Sequence, residues 1–302
     1  MKINEYNDNI VNNIVTYSGD AICLITEGSE GCGYSTSSVI KRIKFGDKSS
    51  NQEVIFRTGI SLTDISVSSS GILWAVDILG NVYCSVVSLS DYEQGYFDIS
   101  KWTTKGVVDG IPVCITCVGD SVYIATYEGE IVKYDGCDFT VNNGFGNPVR
   151  FKEVNGVQYL MGYNRRLMML TDIGWQDLKF SDDIPNYTTI NDLTHSGGHL
   201  YAVSILGVIM IEIDGVFKIL IDGTDFKWFS CDVINDEIYI AGGDMGAYKL
   251  SGGSLTLIKS GSFYLVYVIS IGNNLAFLNS QSSGSSFIMH KPNDNRWLII
   301  TS

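Results

Sequence analysis

The chain has 302 residues, 45% of them hydrophobic, with 32 Gly, only four Pro, seven Cys and a formal net charge of −13. This composition excludes extensive disorder and a collagen-like repeat. The negative charge opposes a broad phosphate-binding surface, so no nucleic-acid partner is expected, and no apolar stretch is long enough to imply a membrane partner.

The opening MKINEYNDNIVNNIV lacks the unbroken apolar run of a signal peptide. Several cysteines fall inside apolar strand patterns, where a reduced thiol packs as a small hydrophobe, and their odd number argues against a closed disulfide framework. The expected location is the cytoplasm. Residues 1–10 are expected to lie at the periphery of a single domain spanning 1–302.

From there one pattern recurs: a turn, a small apolar strand, a polar or Gly-containing connection, and a second strand. It runs through YSGDAICLITEGSEGCGYSTSSVIKRI (17–43), SSSGILWAVDILGNVYC (68–84), VGDSVYIATYEGEIVKYDG (118–136) and VNGVQYLMGYNRRLMML (154–170). It continues through SGGHLYAVSILGVIMIEIDG (196–215), INDEIYIAGGDMGAYKLSGG (234–253) and IGNNLAFLNSQSSGSSFIMH (271–290). The residue before each first strand is Asp20, Gly71, Asp120, Gly156, Gly198, Asp236 or Asn274, so copies lie 36 to 51 residues apart. Gly, Asp and Asn suit such turns because they adopt left-handed backbone geometry or bond locally to it.

Apolar segments precede most copies (TDISVS, VCITCV, RFKEV, TINDLTH, FSCDVI), and outer strands follow (WQDLKF, VFKIL, SLTLIK, RWLII). Four strands per unit at this period predict an all-β fold, a seven-bladed β-propeller with mostly four-stranded antiparallel blades. Trp74, Tyr123, Tyr159, Tyr201, Tyr239 and Phe277 are then expected to pack between blades. The chain resembles the broad β-propeller superfamily over roughly residues 10 to 302, with GILWAVDILGNVY closest to the Gly-aromatic-Gly repeats of several propeller families. It lacks the regular Gly-His and Trp-Asp pairs of a WD40 series, and the paired glycines of a kelch series are irregular. The resemblance implies architecture and assigns no functional residue.

Catalytic and metal-binding patterns are weak. His195 and His199 flank a predicted hairpin turn with no fixed third ligand, and His290 is remote in blade order. Cys114 and Cys117, in CITC, stand three apart on a strand and so point to opposite faces. No nucleophile elbow or phosphate-cradling loop is present, and no catalytic residue, cofactor or metal is expected.

Charge is more coherent. Loops joining second to third strands, and loops joining blades, share one side of a propeller blade. They carry Glu27, Glu30, Asp77, Glu128, Glu130, Asp244, Asp109, Asp182, Asp183, Asp222 and Asp225, countered by Arg57, Lys105, Arg165, Arg166 and Lys227. The candidate binding residues are Tyr127, Tyr163, Arg165, Arg166, Asp182, Asp183, Asp222, Asp225, Trp228, Asp244 and Met245. Acids would steer a basic protein partner and aromatic residues would hold it. The expected function is a non-enzymatic protein-binding scaffold, with an immunity-like inhibitor of a basic toxin or effector domain as its narrower form. The alternatives are a carbohydrate-active or small-molecule-binding propeller with a glycan or other small ligand, and a structural subunit of a larger assembly.

Overall fold

The computed structural model describes residues 9–27, 37–45, 50–92, 102–142, 144–222, 226–261, 263–281, 284–294 and 296–301. The repeat forms seven sheets, each with four antiparallel strands, the blades of a seven-bladed β-propeller. Blades 1 to 3 cover residues 9–58, 62–107 and 112–142 and belong to one compact unit. Blades 4 to 7 are built from 148–177, 192–221, 230–259 and 265–301 and, apart from residues 281–285, form a second unit. Within each blade the four antiparallel strands are paired in chain order.

The turns between first and second strands set the register. Val154 pairs directly with Val157, and Ile234 with Glu237, leaving two-residue loops. Both central residues of each loop, Asn155–Gly156 and Asn235–Asp236, have positive φ. That geometry matches the right-handed twist of the flanking strands, which is why Asn, Asp and Gly occupy the repeat markers.

Side-chain alternation then supplies the contacts between blades. Trp74 packs on the cluster that holds Val122, Ile124 and Tyr134 of blade 3, its ring 5.8 Å from that of Tyr134. Tyr159 joins Leu193 and Ala202 of blade 5, and Tyr201 packs on the cluster of Ile238, Ile240 and Leu250 in blade 6. Tyr239 and Phe277 share the cluster between blades 6 and 7, and Tyr123 is buried. Tyr123, Tyr159, Tyr239 and Phe277 are therefore core residues, and half-buried Trp74 and Tyr201 pack against the core.

Polar groups on the innermost strands add a second set of links. In the first unit the Asp64 carboxylate accepts the Ile115 N–H at 2.8 Å and the Asn13 amide, and Ser66 Oγ accepts the Cys117 N–H at 3.1 Å. In the second, Asp192 accepts from Cys231 N–H at 3.0 Å and Ser230 Oγ at 2.6 Å, and Asp232 accepts the Ser270 N–H at 2.6 Å. Each bond joins one blade to the next, and those to Asp64 and Asp192 satisfy buried carboxylates that would otherwise be costly.

One expected strand is divided. WQDLKF does not run as a single outer strand: Gly174–Asp177 closes blade 4, whereas Lys179–Phe180 pairs in parallel with Val216–Phe217 of blade 5, making that sheet five-stranded. The break falls at Leu178, whose N–H donates to the Leu167 carbonyl at 2.9 Å while its side chain packs on the apolar cluster of blades 4 and 5. Stacking of Phe180 on buried Phe217, with centroids 5.2 Å apart, holds the crossover.

Candidate functional site

At one end of the strands, the first-to-second turns are short and built from Gly, Asn, Asp and Ser. At the other end the second-to-third connections meet the loops between blades, and there the composition changes. In the first unit these connections expose Ile60, Ile78, Leu79, Ile111 and Tyr127, with Leu79 73% and Tyr127 65% exposed. In the second unit they expose Tyr163, Tyr187, Leu206, Met245 and Tyr264.

Backbone hydrogen bonds make the first group one continuous strip. Ile78 N–H donates to the Ser61 carbonyl at 3.2 Å, beside Ile60. Val108 N–H donates to the Gly80 carbonyl at 2.9 Å, and Tyr127 N–H to the Ile111 carbonyl at 2.7 Å. Ile111 N–H in turn donates to Glu128 Oε2 at 3.0 Å. Accepting backbone N–H groups, its own and that of Ile111, holds the Glu128 carboxyl below its usual range, so an ionised acid stands beside Tyr127. Gly80 has a φ of 89°, and a Cβ there would stand 2.4 Å from the Val108 carbonyl oxygen, so only glycine permits this approach.

The second unit is knitted in the same way. Ile190 N–H donates to the Gly162 carbonyl at 3.0 Å, Trp228 N–H to the Ser204 carbonyl at 3.2 Å, and Gly243 and Leu265 exchange both backbone bonds.

The candidate residues have unequal fates in this setting. Tyr127, Tyr163 and Met245 are exposed on the connections, as are Asp182, Asp183, Asp222 and Asp244. Asp183 accepts a hydrogen bond from Ser181 Oγ. Arg165 is turned inward: its backbone N–H donates to the Thr188 carbonyl at 2.7 Å, and its Nη1 donates to Ile184 O at 2.8 Å and Ser181 O at 3.2 Å. It braces the loop between blades 4 and 5. Arg166 lies over the Phe145 ring and pairs with Asp177 at 3.4 Å. Asp225, Glu30 and Cys32 lie outside the described residues.

Two expectations are corrected. Trp228, a candidate anchor, is 0% exposed, with its indole N–H donating to the Gly207 carbonyl at 2.9 Å and its ring edge-on to Phe226 and Tyr248. Its aromatic mass goes to the core between blades 5 and 6. Asp77 is likewise buried and presents no carboxylate to a partner. Its carboxylate accepts from Leu79 N–H and Asn81 N–H, both at 2.9 Å, from the Asn81 amide at 2.8 Å and from the Tyr83 hydroxyl at 2.7 Å, so it organises the turn that projects Ile78 and Leu79.

Among the described residues no group of three metal-ligating side chains occurs. His199 Nδ1 is bonded to the Glu212 carbonyl oxygen at 2.9 Å, and His290 is buried. Cys114 is buried, and burial pushes the Cys117 thiol up to about 12.

The fold places the chain among β-propellers. Its structure is similar to the WD40 β-propeller domain of Doa1, with a TM-score of 0.68 and 13% identity over 96% of this chain and 95% of that one. It is similar to YCF48 from Cyanidioschyzon merolae, with a TM-score of 0.66 and 11% identity over 95% of this chain and 97% of the other. YCF48 bound to D1 peptide matches with a TM-score of 0.58 and 12% identity, covering 80% of this chain and 81% of that one. These likenesses establish the fold. No protein-family model and no curated protein matches the sequence.

Proposed function

We propose that the chain is a non-enzymatic protein-binding scaffold that docks a basic partner on the connection-bearing ends of its blades. The observation that carries this reading is the strip Ile60–Ile78–Leu79–Ile111–Tyr127, in which exposed apolar side chains are gathered on hydrogen-bonded loops beside Asp109 and Glu128. Apolar anchors provide retention and flanking acids provide steering, which is the division of labour of a specific interface. A propeller of the same fold, YCF48, is seen bound to D1 peptide, which supports the same general kind of task for this chain. Inhibition of a basic toxin or effector domain is its narrower form, in which the strip would cover the active cleft of that domain.

The test is capture of basic proteins from the source cell at physiological salt by the native chain and by Leu79→Asp and Tyr127→Ala variants. A partner retained by the native chain and lost by both variants is the expected result. A partner bound equally by all three overturns the reading.

A further inference from the structure

At the Ile60 end of the strip the surface opens into a pocket of about 140 Å³ between blades 1 and 2, lined by Phe56, Thr58, Ile60, Leu62, Ala75, Tyr83, Trp102 and Thr104. Aromatic rings form its walls: Phe56 and Trp102 lie 4.4 Å apart, and Tyr83 is fixed by its hydroxyl bond to buried Asp77. No charged side chain lines it. Pockets for drug-sized ligands run from about 300 Å³ upward, whereas an apolar cavity of about 150 Å³ accepts one benzene. The space therefore suits a single side chain.

We propose that this pocket receives one apolar side chain (Leu, Ile, Met or Phe) from a basic protein segment lying along the strip. The proposal rests on the protein-docking reading above and names its anchor point. Three observations select this occupant. The volume and apolar lining match one hydrophobic residue. The mouth is continuous with exposed Ile60 and Ile78 through the Ile78–Ser61 backbone bond. Farther along the strip, exposed Asp109 and Glu128 stand where a basic flank would lie, on a chain whose net charge is −13. An anchor in a desolvated pocket with charges at the rim is the arrangement that concentrates binding energy in a few residues.

Two measurements on the full chain test this. In the first, benzene is titrated into methyl-labelled protein. Saturable shifts confined to the methyls of Thr58, Ile60, Leu62, Ala75 and Thr104 are expected, and they should vanish in Thr104→Trp, a substitution at an exposed position on the pocket's rim that fills the space. Absent or non-saturable shifts in the native chain, or shifts that persist in this variant, overturn the pocket. In the second, random displayed peptides are selected on the native chain. Enriched sequences should pair one apolar residue with Lys or Arg and should bind about tenfold more weakly to both Thr104→Trp and Ile60→Asp. Peptides lost on Tyr127→Ala but indifferent to Thr104→Trp would sink the pocket and leave the docking surface standing. Peptides indifferent to all three substitutions would sink the docking surface itself, whatever benzene does.

Discussion

Asp192 sits at the inner end of blade 5 with no exposure, receiving Lys152 Nζ at 2.9 Å and Arg150 at 3.5 Å in addition to its bonds to Ser230 and Cys231. Burial alone would raise its carboxyl; the Arg150 and Lys152 charges outweigh that and hold it below the usual range. Removing one member of a buried, paired set strands the others, so Asp192→Ala is expected to cost about 3–5 kcal/mol in chemical denaturation. His290 gives the opposite kind of signature. It is buried against Trp297, with ring centroids 4.2 Å apart, and its Nδ1 has no partner. Burial lowers its affinity for a proton, and the charge of Lys249 adds to this. The unfolded chain therefore takes up a proton first as pH falls through the ordinary histidine value of about 6.5, and the stability contributed by neutral His290 is present above that value and lost below it. Urea midpoints measured at pH 7 and pH 5 should fall for the native chain and converge for His290→Phe. Neither residue was marked by the sequence as special. TINDLTH and SFIMH read as apolar strands; the partners that give Asp192 its character come from blades 4 and 6, and those of His290 are Trp297 on the adjacent strand and Lys249 of blade 6.

Among elements, the hairpins were the most legible, because a turn needing positive φ leaves Gly, Asn or Asp at a regular place in the sequence. The crossing at Leu178 was not: WQDLKF alternates as well across two half-strands as along one, and the Leu178 contacts and the stacking of Phe180 on Phe217 come from residues the segment itself does not contain. Phe217→Ala should accordingly cost about 3–5 kcal/mol, read from thermal or urea unfolding, as expected for emptying a fully buried aromatic site. The connection at Ile78–Leu79 carried a signal that composition hides, two aliphatic residues at the centre of a turn between strands. Gly80→Ala tests whether that connection depends on close approach to Val108. The substitution adds a Cβ against backbone and imposes a left-handed φ on alanine. It should lower stability by about 1–3 kcal/mol and weaken partner binding more than Tyr163→Ala does.

For the whole molecule, period and turn chemistry made the seven-bladed architecture readable without any detailed family motif, since each blade repeats the same local grammar. The proposed docking surface was less readable, because its candidate residues come from loops far apart in sequence and differ in exposure. Tyr127 and Trp228 are both aromatic residues near strand ends, yet one is largely solvent-facing and the other is core. Asp77 and Asp109 are both loop acids, yet the first is consumed by its own turn. The surviving exposed acids should act through a salt-screened field. Replacing Asp109 by Asn and Glu128 by Gln is expected to slow association with the partner and flatten its salt dependence, whereas Tyr127→Ala should mainly hasten dissociation, both read by surface-immobilised kinetics.

The polar two-residue turn at Gly119–Asp120 has a practical consequence. It and Tyr127 cap opposite ends of the six-residue strand Ser121–Thr126, about 20 Å apart at the usual rise per residue. A biotin-acceptor peptide spliced between Gly119 and Asp120 would tether the molecule to a support by its solvated back, leaving Tyr127 turned toward the analyte. Random attachment through lysines would spread the chain over many orientations and blur both rate constants, so this turn is the place from which an oriented sensor can be built.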